Sequence, residues 1–239
     1  MTLYTFFGCL LFAYGPILSI FLLFIAPNAQ YVLLTVSSAF FCLIALLISS
    51  VIWYFSKTNN YISIVYSIAI QEICRWGFYL MTRKAENGLN SISANPNSPL
   101  NKHVFSFVFG YGYALTNASV GYISLLVESI GPGVMMCPSC PQASLYFIYA
   151  ITTTLFSLLH IGWMMIACEG YSEIPQKKGY LKVIWVILSH YGASFATTLN
   201  SSTSINYGCI ASIFICLFII LVSLSIIIYS LKSKFKLLH

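Results

Sequence analysis

The chain has 239 residues, 59% of them apolar, 16% aromatic and only 7% charged, and its net charge of +6 sets 11 Lys and Arg against five acidic groups, all of them Glu. A soluble domain carries about 25% charged residues. The low charge therefore excludes a soluble enzyme, a disordered tail and a nucleic-acid binder, and leaves a polytopic membrane protein.

About 20 apolar residues cross the hydrocarbon core as a helix. Seven runs meet that length: Leu3–Ile25, Tyr31–Phe55, Tyr61–Met81, Val104–Val127, Ser144–Ala167, Leu181–Leu199 and Gly208–Leu231. They predict an all-α integral membrane protein, a bundle of seven transmembrane helices forming a single polytopic domain over residues 1–239. Barrel strands are about 10 residues and alternate in polarity, so the runs are too long for a barrel. The longest connection, Thr82–His103, leaves no room for a folded domain outside the membrane. No internal repeat argues for an inverted-repeat transporter. The first run lacks a basic leader and exceeds a signal-peptide core, so it reads as a retained helix.

Loop charge sets orientation. Arg83, Lys84, Lys102, Lys177, Lys178, Lys182, Lys232, Lys234 and Lys236 fall on one side, and only Lys57 on the other. That bias places the tail and the third and fifth loops in the cytosol, and the N-terminus in the lumen or outside the cell. The Lys-rich tail reads as topogenic rather than as a specific lipid site.

Of eight cysteines, Cys9, Cys42, Cys74, Cys209 and Cys216 lie within the runs and read as small apolar packing residues. Cys168 is near a cytosolic end and should be reduced. Cys137 and Cys140, in a Cys-Pro-Ser-Cys stretch of the lumenal fourth loop, are a candidate local disulfide. Free thiols and a simple loop tether are the alternatives. No further ligands stand nearby to complete a zinc site, and no metal is expected. Asn200-Ser-Ser202 is a glycosylation sequon close to the bilayer on the lumenal side, and Asn117-Ala-Ser119 is buried in a run and should be silent.

Ionisable groups inside the membrane are costly and each needs a reason. Gln71, Glu72 and Arg75 share the third run, and Glu72 and Arg75, three apart, share a face and read as a structural ion pair. His160 lies about 10 Å, and His190 about 13 Å, from the same cytosolic boundary on consecutive antiparallel helices. They read as interhelical hydrogen-bond partners, lining a polar cavity that receives a partner. A proton relay is the sharper alternative. Ser106, Gly110, Ala114 and Ala118 recur every four residues, with Gly121 beyond, a stripe of small side chains that lets another helix approach, either within the chain or from a separate subunit.

Catalytic motifs fail. HExxH and GxSxG are absent, Ser189 and His190 are adjacent rather than a dyad, and without Asp there is no aspartyl pair. No catalytic residue and no cofactor is expected.

Several stretches resemble, in order, the anterior-pharynx-defective family, the seven-transmembrane scaffold subunit of γ-secretase. They are Phe6-Phe7-Gly8-Cys9 with Ala13-Tyr14-Gly15-Pro16, Ser38-Ala39-Phe40-Phe41, Ser50-Val51-Ile52-Trp53, and Gln71-Glu72 with Arg75. Further along come Lys84-Ala85-Glu86-Asn87-Gly88-Leu89 with Ser98-Pro99, Gly131-Pro132-Gly133-Val134, Leu158-Leu159-His160 with Trp163, and Ser189-His190 with Leu199-Asn200. The family's seven spans and lumenal N-terminus agree with the loop charges.

The resemblance implies a non-catalytic assembly subunit of an intramembrane aspartyl protease. Its partners would be presenilin, which brings the two aspartates, nicastrin and the presenilin-enhancer subunit, within a lipid bilayer. The complex would process type I membrane proteins of the Notch and amyloid-precursor class. Its membranes would be endoplasmic reticulum, Golgi, endosomal and plasma membranes. The family's fourth-helix glycine repeat maps onto Gly110, Ala114 and Ala118, of which only the first is Gly, and its two intramembrane histidines map onto His160 and His190. The Cys-Pro-Ser-Cys stretch has no counterpart in the family pattern. A proton-coupled transporter using Glu72, His160 and His190, and a seven-helix receptor, are the other readings.

Overall fold

The computed structural model describes residues 3–57, 59–93, 95–96, 98, 100–131 and 135–236, with 234–236 described by backbone alone. Pro99, the Pro132-Gly133-Val134 stretch and the Lys234 and Lys236 side chains lie outside the described residues.

Seven long helices dominate: α1 (Leu3–Ile20), α2 (Ala29–Ser56), α3 (Asn60–Ser91), α4 (Asn101–Glu128), α5 (Leu145–Glu173), α6 (Lys177–Thr197) and α7 (Gly208–Lys236). Four of them, counting α1 with its extension to Ile25, are long and apolar enough to cross a membrane by length and composition. Large apolar side chains such as Leu23, Phe55, Leu188 and Phe218 face outward, as lipid-contacting residues do.

The apolar runs underestimate several helices. The third run ends at Met81, yet α3 continues to Ser91, so much of the expected Thr82–His103 loop is helical. Likewise α5 reaches Glu173 and α6 begins at Lys177, leaving a three-residue connection. An apolar run marks what lipid covers, whereas backbone hydrogen bonding continues into water through good helix formers such as Lys84, Ala85 and Glu86. The all-α expectation holds for the bundle, with one small addition in a connection. β1 (Met136–Cys137) and β2 (Cys140–Ser144) form an antiparallel hairpin between α4 and α5.

Local chemistry explains the ends and breaks. Asn28 caps α2 by accepting the Gln30 N–H at 2.9 Å. Lys57 closes it in the left-handed region, φ 43°, donating its N–H to Trp53 O at 2.8 Å. Pro16, inside α1, has no N–H for the Phe12 carbonyl four residues back. Thr154 of α5 supplies the missing donor, with Oγ1 2.8 Å from Phe12 O. After Ile20 the helix widens into a π turn, Phe21–Ile25, where Ala26 N–H bonds Phe21 O at 2.8 Å.

Helix α5 is the hub. It touches α1, α3, α4, α6 and α7, and 61% of its apolar stretch is buried, against 22% for α7. One apolar core joins α1, α2, α3, α4 and α5, including Tyr14, Phe78, Phe109, Tyr111 and Met164. A second joins α5, α6 and α7 around Trp163, Ile166, Val186 and Cys216. Where the α5–α6 connection lies, Lys182 sits 2.8 Å from Glu173 and 3.3 Å from Glu169, and Ser230 of α7 donates to Glu169.

Two glycines let α4 sit between neighbours. A Cβ on Gly110 would lie 2.7 Å from Ile161 Cα and 2.9 Å from its carbonyl oxygen. A Cβ on Gly112 would collide with Ser38 Oγ and lie 2.5 Å from Thr35 O. Gly110 therefore admits α5 and Gly112, two residues on and on another face, admits α2.

Candidate functional site

Helices α3, α5 and α6 bring four ionisable side chains together in the bundle. Glu72 and Arg75, one turn apart on α3, pair through Arg75 Nη1 at 2.7 Å and 2.9 Å from the two carboxylate oxygens. His190 of α6 reaches the same carboxylate, Nδ1 to Oε1, at 2.7 Å. Arg75 Nη2 lies 3.4 Å from His160 Nδ1 on α5.

These contacts fix the tautomers. A carboxylate only accepts, so His190 donates through Nδ1–H. A guanidinium only donates, so His160 accepts at Nδ1 and carries its proton on Nε2. The chain is thus His190–Glu72–Arg75–His160, with every member buried. The two imidazole centroids are 5.3 Å apart, as the equal depths of the two histidines predict.

Aromatic groups hold the network. The Trp163 ring stacks on His190 with centroids 4.3 Å apart and meets His160 edge-on at 5.2 Å. Its indole N–H donates to Ser189 Oγ at 2.8 Å, and Ser189 in turn donates to Val186 O at 3.2 Å. Arg75 also lies over the Tyr113 ring of α4, 5.5 Å from its centroid. Trp163 and Tyr113 were not among the expected site residues. Trp163 was within reach of the sequence, since it stands one turn from His160; Tyr113 depended on how α4 docks.

A cavity of about 470 Å³ adjoins this network, lined by Trp53, Gln71, Asn117, Phe156, His160 and His190 among others. Among the described residues, Gln71 Oε1 at this cavity has no hydrogen-bond partner, nor do Arg75 Nε and Tyr113 OH deeper in the bundle. Unpaired buried groups of this kind are costly and mark an incomplete environment.

The small-residue stripe of α4 is used inside the chain. Gly110, Ala114 and Ala118 are buried, Gly110 meets Ile161, and the Ala118 carbonyl accepts the Tyr14 hydroxyl at 2.9 Å. Gly121 is exposed, with nothing within 4 Å of a Cβ built on it. Of the two readings the spacing allowed, Gly110, Ala114 and Ala118 follow the one within the chain, because α1 and α5 cover them.

The cysteine expectation also changes. Cys140 bonds Cys209, at the start of α7, with Cα atoms 6.2 Å apart, and Cys137 is free. The reading of a Cys137–Cys140 bond, with Cys209 as mere packing, missed that the chain returns to the hairpin at the α6–α7 connection. Ser139, between the two hairpin cysteines, ties that return. Its carbonyl accepts Tyr207 N–H at 2.8 Å, its hydroxyl accepts Cys209 N–H at 3.0 Å and donates to Asn200 O at 3.1 Å. Asn200 is 1% exposed, so the folded chain presents no sequon side chain there.

A multi-helix membrane bundle with a buried charge network beside an open cavity is the class these features define. The family model of the Aph-1 protein matches residues 4–230, and the chain belongs to that family. It is 31% identical over 231 residues to the gamma-secretase subunit APH-1B of Homo sapiens, covering 91% of this chain and 86% of that protein. It is 29% identical over 205 residues to the gamma-secretase subunit Aph-1 of Drosophila melanogaster, covering 84% of each. It is 27% identical over 217 residues to the gamma-secretase subunit APH1-like protein of Arabidopsis thaliana, covering 86% of this chain and 84% of that one.

Proposed function

We propose that this chain is a non-catalytic scaffold subunit of a γ-secretase-type intramembrane aspartyl protease complex. Its membership of a family whose relatives are gamma-secretase subunits carries the reading. It crosses the membrane seven times as one domain, with the N-terminus and hairpin lumenal and the C-terminal tail cytosolic. The loop charges support that orientation, and so does a disulfide at the hairpin, because disulfides persist in oxidising compartments.

Its partners are presenilin, nicastrin and the presenilin-enhancer subunit. Presenilin supplies the aspartates that this chain lacks. The cavity beside His160 and His190 receives a partner segment, whose polar groups complete Gln71. Gly121, exposed on α4, remains open to a neighbouring helix. The complex works in endoplasmic reticulum, Golgi, endosomal and plasma membranes, on type I proteins of the Notch and amyloid-precursor class.

The test is affinity capture of the tagged chain from mild detergent, with mass spectrometry of what comes with it. An aspartate-bearing multi-pass protease subunit should copurify; the chain recovered alone overturns the reading. In reconstituted vesicles the isolated chain should leave a transmembrane stub intact, and cleavage by it alone would end the non-catalytic assignment.

A further inference from the structure

Three sulfur atoms meet at the hairpin. The Sγ atoms of Cys137, Cys140 and Cys209 all lie within 4.8 Å of one another, and all three residues are buried. Only two can be bonded at a time. Cys140 and Cys209 hold the bond, and the Cys137 thiol donates to Asn200 O at 3.2 Å, which keeps it beside the disulfide.

The backbone permits a second pairing. Cys137 and Cys140 are direct partners across the hairpin, on either side of the Pro138-Ser139 turn. Directly opposed antiparallel residues have Cα atoms about 4.5–5.5 Å apart, inside the roughly 4.4–6.8 Å window a disulfide spans. Cys140 is therefore within bonding span of both its neighbours, and Cys137 within reach of the sulfur it would attack.

We propose that Cys137, Cys140 and Cys209 form an internal thiol–disulfide exchange site, in which the bond moves between Cys140–Cys209 and Cys137–Cys140. Cys137 Sγ gives up its proton and attacks Cys140 Sγ. The Cys137–Cys140 bond forms as the Cys140–Cys209 bond breaks. The electron pair leaves on Cys209 Sγ, which takes up a proton. One disulfide and one thiol stand on each side of the step, so no oxidant or reductant is consumed.

The consequence is mechanical. With Cys140 bonded to Cys209, the α4–α5 connection is covalently clasped to the first turn of α7. After exchange, that contact rests on the two Ser139 hydrogen bonds to Tyr207 and Cys209. The site therefore sets whether α7 is held covalently or only by noncovalent contacts at this end of the bundle.

The test uses the full chain in native membranes. Membranes are equilibrated in a glutathione redox buffer and quenched with acid. Free thiols are alkylated under denaturing conditions, and peptides are mapped without reduction. The wild type should yield Cys140–Cys209 as the main linked peptide and Cys137–Cys140 as a second one. Cys137→Ser should lose the second and keep the first, and Cys209→Ser should shift the linked population to Cys137–Cys140. A wild-type chain with no Cys137–Cys140 peptide after equilibration overturns the proposal, whether or not the variants fold. Recovery of all three thiols free with one equivalent of bound zinc also overturns it, in favour of a metal site.

Discussion

Two places in this molecule bind helices that are far apart in sequence, and they do it by opposite means. The His190–Glu72–Arg75–His160 network joins α3, α5 and α6 by charge and hydrogen bonding between buried side chains. The hairpin joins the α4–α5 connection to α7 by a covalent bond, with backbone groups shared through Ser139. Removing one member of the first leaves a buried charge exposed to hydrocarbon-like surroundings. Removing one member of the second loosens a tie but strands no charge. The difference teaches that a noncovalent contact is the more fragile to mutation when its low-dielectric setting offers the abandoned partner no alternative.

The comparison predicts an order of effects. Glu72→Ala should be the most damaging, about 3–5 kcal/mol, because Arg75 is left buried without its carboxylate; thermal unfolding in mild detergent checks it. If the loss is below that of the hairpin variant, the network is solvated and the contrast fails. Cys209→Ser should cost roughly 2–4 kcal/mol through the lost cross-link. Adding reductant should lower the wild type's melting temperature further than the variant's, whose Cys137–Cys140 bond closes only a short loop.

Steric and single-bond effects come next. Gly110→Leu should cost about 1–3 kcal/mol or more by forcing α4 away from Ile161, measured as loss of folded chain before any partner binds. Ser189→Ala should cost about 1 kcal/mol by leaving the Trp163 indole N–H unpaired, and its signature is a change in near-ultraviolet circular dichroism. Gly121→Leu should change the isolated chain's stability by less than about 0.5 kcal/mol, since open space surrounds that position. A fall in partner capture by Gly121→Leu with unchanged chain stability would separate assembly from folding.

Much of the network was legible in the chain. Glu72 and Arg75 are three residues apart in an apolar run, and a helix leaves them on one face whatever surrounds it. The equal depths of His160 and His190 follow from counting residues on two antiparallel helices joined by a short loop. The hairpin was not legible in the same way. Cys137 and Cys140 are near in sequence, and local spacing allowed their bond, but Cys209 lies 69 residues from Cys140 and comes close only when α5, α6 and α7 have packed. The α4 stripe left its partner open for a related reason. Small residues at every fourth position say that a helix approaches, and only packing says whose helix it is.

The sequence by itself determined the membrane class, seven helical segments, the absence of an aspartate pair and the pairing of Glu72 with Arg75, because apolar runs and helical spacing act locally. Tertiary structure alone decided that α5 is the hub, that Trp163 and Tyr113 complete the network, and that Cys140 bonds Cys209. Those depend on contacts between residues remote along the chain, and packing, not periodicity, selects among the many contacts a small-residue or cysteine pattern permits.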